Sequence, residues 1–243
     1  MPRNLHVHFL PALTTPDELA DGVVVVIDVL RASTTIATAL AAGATGVTAC
    51  LEVEEARRRA EAFSRDEVRL GGERQCIKIA GFDLGNSPAE YTSEAVGGKT
   101  VLFTTTNGTR ALLHCRLAAV VYVAGFVNAA ATASAIKIRK QRDIHLLCAG
   151  TEGHISREDV LFAGCLVDRL AESELERNDS AELALAAWRA CDQSNLAAEL
   201  RVSRGGRNLL RNDMATDIAL AARLDALDVV AEFEPESGTI RRM

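Results

Sequence analysis

The chain has 243 residues, 48% hydrophobic and 25% charged, which is ordinary for a globular protein able to bury a sizeable core. Its formal net charge of −6 excludes wholesale nucleic-acid binding through a basic surface and leaves room only for a local pocket for a small anion. No apolar run approaches the roughly 20 residues of a membrane span, and no signal-peptide core follows Arg3, so a cytoplasmic protein with no membrane or nucleic-acid partner is expected.

Leu5 to Phe9 alternates apolar and polar residues and predicts a half-exposed strand. Thr15-Pro16-Asp17-Glu18 has the form of a capping box, with a hydroxyl N-cap, Pro at the first helical position and Glu at the third. The β-branched run at 23–28 predicts a fully buried strand, and 32–42 a helix stopped by Gly43. A strand at 47–51, a polar helix at 52–63 and a short strand at 68–70 follow. Residues 71–91 are a glycine-rich, mostly irregular segment, and such loops in compact proteins are usually functional. Strands at 99–103, 120–123 and 144–148 alternate with helices from 111, 128 and 156.

This alternation, running through residue 172, predicts a mostly parallel sheet with helices on both faces. From 173 the pattern becomes several short helices over 181–223, followed by a terminal hairpin (227–233 and 239–242) expected at a sheet edge. No linker or internal repeat divides the chain. A single domain over 1–243 is expected, with residues 175–225 as a C-terminal helical elaboration.

The six Cys include no C-x-x-C pair, and a chain of this size needs no disulfides; most read as small buried hydrophobes. Cys76, in a polar loop, has no His beside it in sequence to activate it. The five His show no ligand spacing, which argues against zinc.

Candidate chemistry concentrates where strands end. Asp28 closes the first buried strand and Arg31 follows it. A carboxylate there can hold Mg²⁺, and a guanidinium can fork onto phosphate or sulfonate. The alternative is an ion pair closing the turn. Ser33, Thr34 and Thr35 open the next helix, either as part of an anion cradle or as a simple N-cap. Ser87-Pro88-Ala89-Glu90 and Ser156-x-x-Asp159 repeat the capping-box form, which explains Ser87, Glu90 and Asp159 by capping and leaves Asn86 unexplained. Thr104 to Arg110 packs Thr105, Thr106, Asn107, Gly108 and Thr109 into one strand exit; a turn at Asn107-Gly108 is the alternative. Glu73, Arg74, Gly150 and Glu152 also follow strands. In a parallel sheet these exits share one edge, where a small anion and a divalent cation would bind. The P-loop and dinucleotide-binding glycine patterns are absent.

Several segments, in order, resemble the 2-phosphosulfolactate phosphatase family, the ComB-like phosphatases. They are V-V-V-V-I-D-V-L-R-A-S-T-T at 23–35, G-G-E-R at 71–74, G-F-D-L-G-N-S-P-A-E-Y at 81–91, T-T-N-G-T at 105–109, C-A-G-T-E-G at 148–153 and S-R-E-D-x-x-x-A-G at 156–164. The resemblance departs at Ser203-Arg204-Gly205-Gly206, where family members tend to carry a His and this chain has none. It implies a three-layer α/β/α fold and a Mg²⁺-dependent phosphatase that converts 2-phospho-3-sulfolactate to 3-sulfolactate and phosphate, a coenzyme M biosynthesis step in methanogens. On that basis Asp28, Arg31, Glu73 and Arg74 are expected to be catalytic, with Asp28, Glu73 and Glu152 holding the metal. Ser33, Thr34, Asn86, Ser87, Thr105, Thr106, Asn107, Gly108, Thr109 and Gly150 are expected to bind substrate. Asp28 could instead be a nucleophile. The alternatives are a phosphohydrolase of another small anionic phosphoester and a non-catalytic sulfonate- or phosphate-binding module. A homodimer is compatible with either.

Overall fold

The computed structural model describes residues 3–171 and 175–243, so the expected change of pattern at 172–173 lies outside the described residues. Among the described residues, one sheet contains β1 (Arg3–His8), β2 (Val23–Ile27), β3 (Gly46–Ala49), β4 (Val68–Arg74), β5 (Ile77–Lys78) and β6 (Thr100–Thr104). It continues with β7 (Val120–Ala124), β8 (Asp143–Cys148), β9 (Leu175–Arg177), β10 (Ala231–Glu234) and β11 (Thr239–Arg242). The helices are α1 (Ala32–Ala41), α2 (Val53–Ala60), α3 (Ser93–Val96), α4 (Gly108–His114) and α5 (Ala129–Lys137). Beyond them lie α6 (Arg157–Arg169), α7 (Asp179–Ala190), α8 (Leu196–Arg201), α9 (Arg204–Arg211) and α10 (Ala215–Ala221).

The three-layer α/β/α architecture follows from β2. All five of its residues are buried, as a strand covered on both faces requires. Val23, Val25 and Ile27 join one apolar cluster with α5, α6 and α7. Val24 and Val26 join the other with α1 and α4. Successive side chains point to opposite faces, so this one strand anchors both layers. A third cluster packs α2 against β4 and β6 through Ala56, Val68, Leu70 and Leu102.

The strand order is β5-β4-β6-β3-β11-β10-β7-β2-β8-β1-β9. Pairing is parallel from β7 through β2, β8 and β1 to β9, and parallel again among β3, β6 and β4. The terminal hairpin forms as expected but not at an edge. Strand β10 pairs antiparallel with β7, and β11 antiparallel with β3, so the hairpin joins the two parallel blocks. Its alternation of buried Ala231 and Phe233 with less buried Glu232 and Glu234 marks one covered face, which an interior strand can also have.

The hairpin reverses the ladder sense of β3, β4 and β6 relative to β2, so the sheet does not present every strand exit along one flat edge. Twist turns the two blocks relative to each other. Five pairing steps separate β2 from β6, and at ~20–25° per step the accumulated rotation is roughly 100–125°. Strand β4 also runs through Arg74 rather than stopping near residue 70, and β9 is a short edge strand that the sequence pattern does not announce.

The capping box at the N-terminal side is real. The Thr15 N–H donates to Glu18 Oε2 at 2.8 Å, and the Glu18 N–H donates to Thr15 Oγ1 at 3.4 Å. Nearby, His6, His8 and His145 stack on β1 and β8 with ring centroids 5.0–6.3 Å apart. His8 Nε2 and His145 Nδ1 share a hydrogen bond of 3.1 Å. Burial, then the neighbouring imidazoles, pushes His8 and His145 down to about 4. Glu18 and Asp143 oppose this from the flanking loop and strand, while His114 adds to it at His8.

Both imidazoles are therefore neutral in the folded protein at pH 6, while an unfolded chain takes up protons below about 6.5. Stability is fully present above that value and is lost as the pH falls toward about 4, because the unfolded state binds more protons in that window. Wild type should therefore lose stability relative to His145→Gln as the pH falls from 7 to 5, read as a shrinking difference between their urea midpoints. A difference that stays constant across this range would contradict the assignment.

Candidate active site

Backbone hydrogen bonds and hydroxyls set the turn after β2. The Ser33 N–H donates to Asp28 O at 2.8 Å, and Ser33 Oγ accepts the Asp28 N–H at 2.9 Å. Thr34 Oγ1 donates to Val29 O and Thr35 Oγ1 to Asn86 O. These hydroxyls lie inside α1 and none caps it. They are spent on backbone groups that the turn would otherwise strand. Thr34 is fully buried and reaches no cleft.

The Asp28 carboxyl that this turn presents is nearly buried. Its Oδ1 accepts the Ala32 N–H at 3.4 Å. Burial raises its pKa to about 7, helped by Glu73 and Glu158 and opposed by the Ala32 N–H and Arg31. Gly108 opens α4 against it, since a Cβ there would lie 3.0 Å from Asp28 Oδ2 and 2.9 Å from the Ala32 Cβ.

Asp28 borders a cleft that also takes in Arg31, Glu73, Asn86, Thr105, Thr106, Asn107 and Glu152. The strand exits of β2, β4, β6 and β8 therefore do converge. Ser33, Gly108 and Thr109 instead line a small apolar-walled cavity behind Asp28. Ser87 faces an adjoining cleft that shares Arg31, Cys76 and Asn86 with the first.

Glu73 organises the β4 exit. Its Oε1 accepts both the N–H and the Oγ1–H of Thr106 at 3.1 Å, and its Oε2 accepts the Cys76 N–H at 2.8 Å. Burial raises the Cys76 thiol, which argues against a catalytic thiolate. Arg31 is buried, and its Nη1 donates to Asp217 Oδ2 at 2.7 Å. The ion-pair reading of Arg31 was right in kind, with Asp217 as partner in place of Asp28.

Several expected site residues are placed elsewhere. Arg74 donates to Glu73 O and Leu51 O and braces β4 from outside the cleft. Gly150 turns the chain at φ 67°, and its N–H donates to Asp159 Oδ2 at 3.0 Å, away from the cleft. Glu152 lies at the rim, its side chain 62% exposed and 3.5 Å from Arg204. Among the described residues, no three His, Cys, Asp or Glu side chains gather into a metal-binding group, so Asp28, Glu73 and Glu152 do not form one ligand shell.

The capping explanations fail at two places. Ser156 makes no side-chain cap to α6. Asp159 accepts the Val29 N–H at 2.9 Å and the Gly150 N–H at 3.0 Å, fastening the exits of β2 and β8 to each other. Ser87 likewise caps nothing and donates to Asp217, while Glu90 accepts the Gly85 N–H. Glu158, next to Asp159, accepts the Gly205 N–H from α9 at 3.1 Å. A Cβ on Gly205 would lie 2.1 Å from that Glu158 oxygen, so a side chain here would displace the Glu158 carboxyl. Burial pushes both Glu158 and Asp159 upward, Asp159 further raised by Glu158 and Asp28. Asp217 gave the one readable signal among the residues the sequence reading missed, an acid on the helical face of Met214, Ile218 and Ala221.

An acid-lined cleft at the carboxyl ends of strands is where α/β enzymes hold small molecules. A family model described as 2-phosphosulpholactate phosphatase matches residues 8–236. The probable 2-phosphosulfolactate phosphatase of Symbiobacterium thermophilum is 42% identical over 219 residues, covering 89% of this chain and 93% of the relative. Its namesake in Caldanaerobacter subterraneus is 38% identical over 225 residues, covering 92% of each. That of a Synechococcus strain is 39% identical over 231 residues, covering 93% of this chain and 94% of the relative. The chain belongs to the 2-phosphosulfolactate phosphatase family, a group of phosphoric monoester hydrolases.

Asp159→Asn places an amide N–H against one of two buried backbone donors. Leaving such a donor unpaired costs about 1–3 kcal/mol. Urea unfolding should show a loss of that order, with phosphatase activity falling as well. Unchanged stability would show that Asp159 does not hold the two strand exits.

Proposed function

We propose that this chain hydrolyses 2-phospho-3-sulfolactate to 3-sulfolactate and phosphate with Mg²⁺ held in the cleft. One observation carries the reading. The cleft sets Asp28, Glu73 and Glu152 against Arg31, whose charge Asp217 already offsets at 2.7 Å. Left to itself this wall repels a phosphoester dianion. A bound divalent cation supplies the positive charge that phosphoryl oxygens require.

The residues suit Mg²⁺ in particular. It takes one or two carboxylates and keeps its remaining positions for water and substrate oxygens. Asp28 and Glu73 supply the carboxylates. Asn86 Oδ1 is buried with no hydrogen-bond partner among the described residues and faces the same cleft. A set of oxygens with no cysteine cluster favours Mg²⁺ over zinc.

The chain's own groups do the rest. Arg31, Thr105 and Asn107 offer N–H and O–H donors to the anion, and Thr106 is held in place by Glu73. The adjoining cleft beyond Asn86 has room for the organic end of the ester. We read residues 1–243 as one cytoplasmic domain with 175–225 as its helical elaboration. A homodimer is compatible with this reading, and the net charge of −6 speaks against a nucleic-acid partner. No helix among the described residues is long and apolar enough to cross a membrane.

Phosphate release from 2-phosphosulfolactate and a small panel of phosphomonoesters, with Mg²⁺ and with EDTA, tests the reading. Turnover of 2-phosphosulfolactate with Mg²⁺, abolished by EDTA, is expected. Asp28→Asn should lower kcat/KM at least 100-fold, roughly 2.7 kcal/mol. Turnover of other esters alone would overturn the substrate, and no turnover at all would leave a binding module.

A further inference from the structure

Asp217 sits on α10, in the C-terminal helical elaboration, far in sequence from every strand exit. Its side chain is 4% exposed and that of Arg31 only 3%. Asp217 Oδ2 accepts from Arg31 Nη1 at 2.7 Å, and Oδ1 accepts from Ser87 Oγ at 2.5 Å. Met214, one helical turn away, accepts from the same Nη1 through Sδ at 2.9 Å. Cys76 O accepts from Nη2 at 3.1 Å. One carboxylate thus joins the start of α1, the segment carrying Asn86 and Ser87, and α10. The guanidinium it grips borders both clefts.

Burying a guanidinium requires a paired charge and good hydrogen bonds. Arg31 has five N–H donors, and Asp217, Met214 and Cys76 occupy three of them in a fixed plane. The fork therefore cannot turn freely toward a passing anion. Its charge is largely offset before substrate arrives, so it acts through the direction of its remaining donors more than through long-range attraction.

We propose that Asp217 is a positioning residue for the phosphatase reaction, holding the Arg31 fork in register with the substrate's phosphoryl group and restraining its pull on free phosphate. The inference rests on the phosphatase reading given above. A misplacement of about 1 Å in a positioned group can cost on the order of 100-fold in rate. Losing Asp217 should therefore lower turnover while letting Arg31 attract anions more strongly. A residue that only stabilised the fold would lower turnover without tightening phosphate binding.

The test compares wild type, Asp217→Asn, Arg31→Met and the double variant Arg31→Met/Asp217→Met. It measures Mg²⁺-supported phosphate release, competitive inhibition by orthophosphate and circular-dichroism melting. Folded Asp217→Asn should lose about 10- to 100-fold in kcat while its orthophosphate Ki falls at least about threefold as the offset of Arg31 is removed. The double variant, with an apolar pair in place of a buried ion pair, should match the kcat of Arg31→Met. A folded Asp217→Asn with kcat within about twofold of wild type, or with unchanged or weaker phosphate inhibition, overturns the proposal. Should Asp217→Asn fail to fold, the double variant decides, and a further kcat loss beyond Arg31→Met overturns it. A wild type that turns over no phosphoester sinks the phosphatase reading instead; calorimetric titration of orthophosphate into wild type and Asp217→Asn then still decides the role of Asp217, with equal affinities overturning it.

Discussion

The structure depends on keeping several carboxyl groups close together with little water. Asp28, Glu158 and Asp159 all have their pKa values raised by burial first and by acid neighbours next. Desolvation and like charge both disfavour the ionised form, so such a cluster persists only where other groups reward it. Backbone N–H groups provide part of the reward. Ala32 serves Asp28, Gly205 serves Glu158, and Val29 with Gly150 serves Asp159. These bonds tie β2, β8, α6 and α9 to one another. The strain of crowding is thereby converted into a fixed cleft wall, and what the backbone leaves unmet falls to whatever enters the cleft.

The sheet makes this crowding geometrically attainable. Residues from β4 and β6 could not meet Asp28 across a flat sheet with a reversed hairpin in its middle. Twist built up over that hairpin rotates the second block relative to the first, and residues following β2, β4 and β6 line one cleft. Glycine at 108 then lets α4 come within contact of the Asp28 carboxyl. The C-terminal helices close the opposite side through Gly205 and Asp217. An elaboration that looks peripheral in the sequence therefore forms part of the cleft walls.

Much of this was legible in the sequence where the signal was local. The β-branched run before Asp28 fixed the strand, and the glycine and hydroxyl content after β4, β6 and β8 marked their exits. Asp28, Glu73, Thr105, Thr106 and Asn107 all reach the cleft. The misses share one cause. A hydroxyl or carboxylate near a helix start looks the same whether it caps that helix or reaches a group over a hundred residues away. Asp159, whose partner Val29 lies 130 positions off, and Ser87, bound to Asp217 at the same separation, were of the second kind. Arg74 was misjudged the other way, since an arginine at a strand exit can equally brace neighbouring carbonyls. The hairpin's location was illegible because alternation reports how many faces are covered and not which strands lie alongside.

The central claim is that the acid-crowded cleft accepts a phosphoryl anion only together with a divalent cation. Isothermal titration of orthophosphate into the protein, with Mg²⁺ and after exhaustive chelation, measures this directly. The account predicts binding with Mg²⁺ and at least about 30-fold weaker affinity without it, a difference of roughly 2 kcal/mol. Equal affinity in both conditions would contradict it.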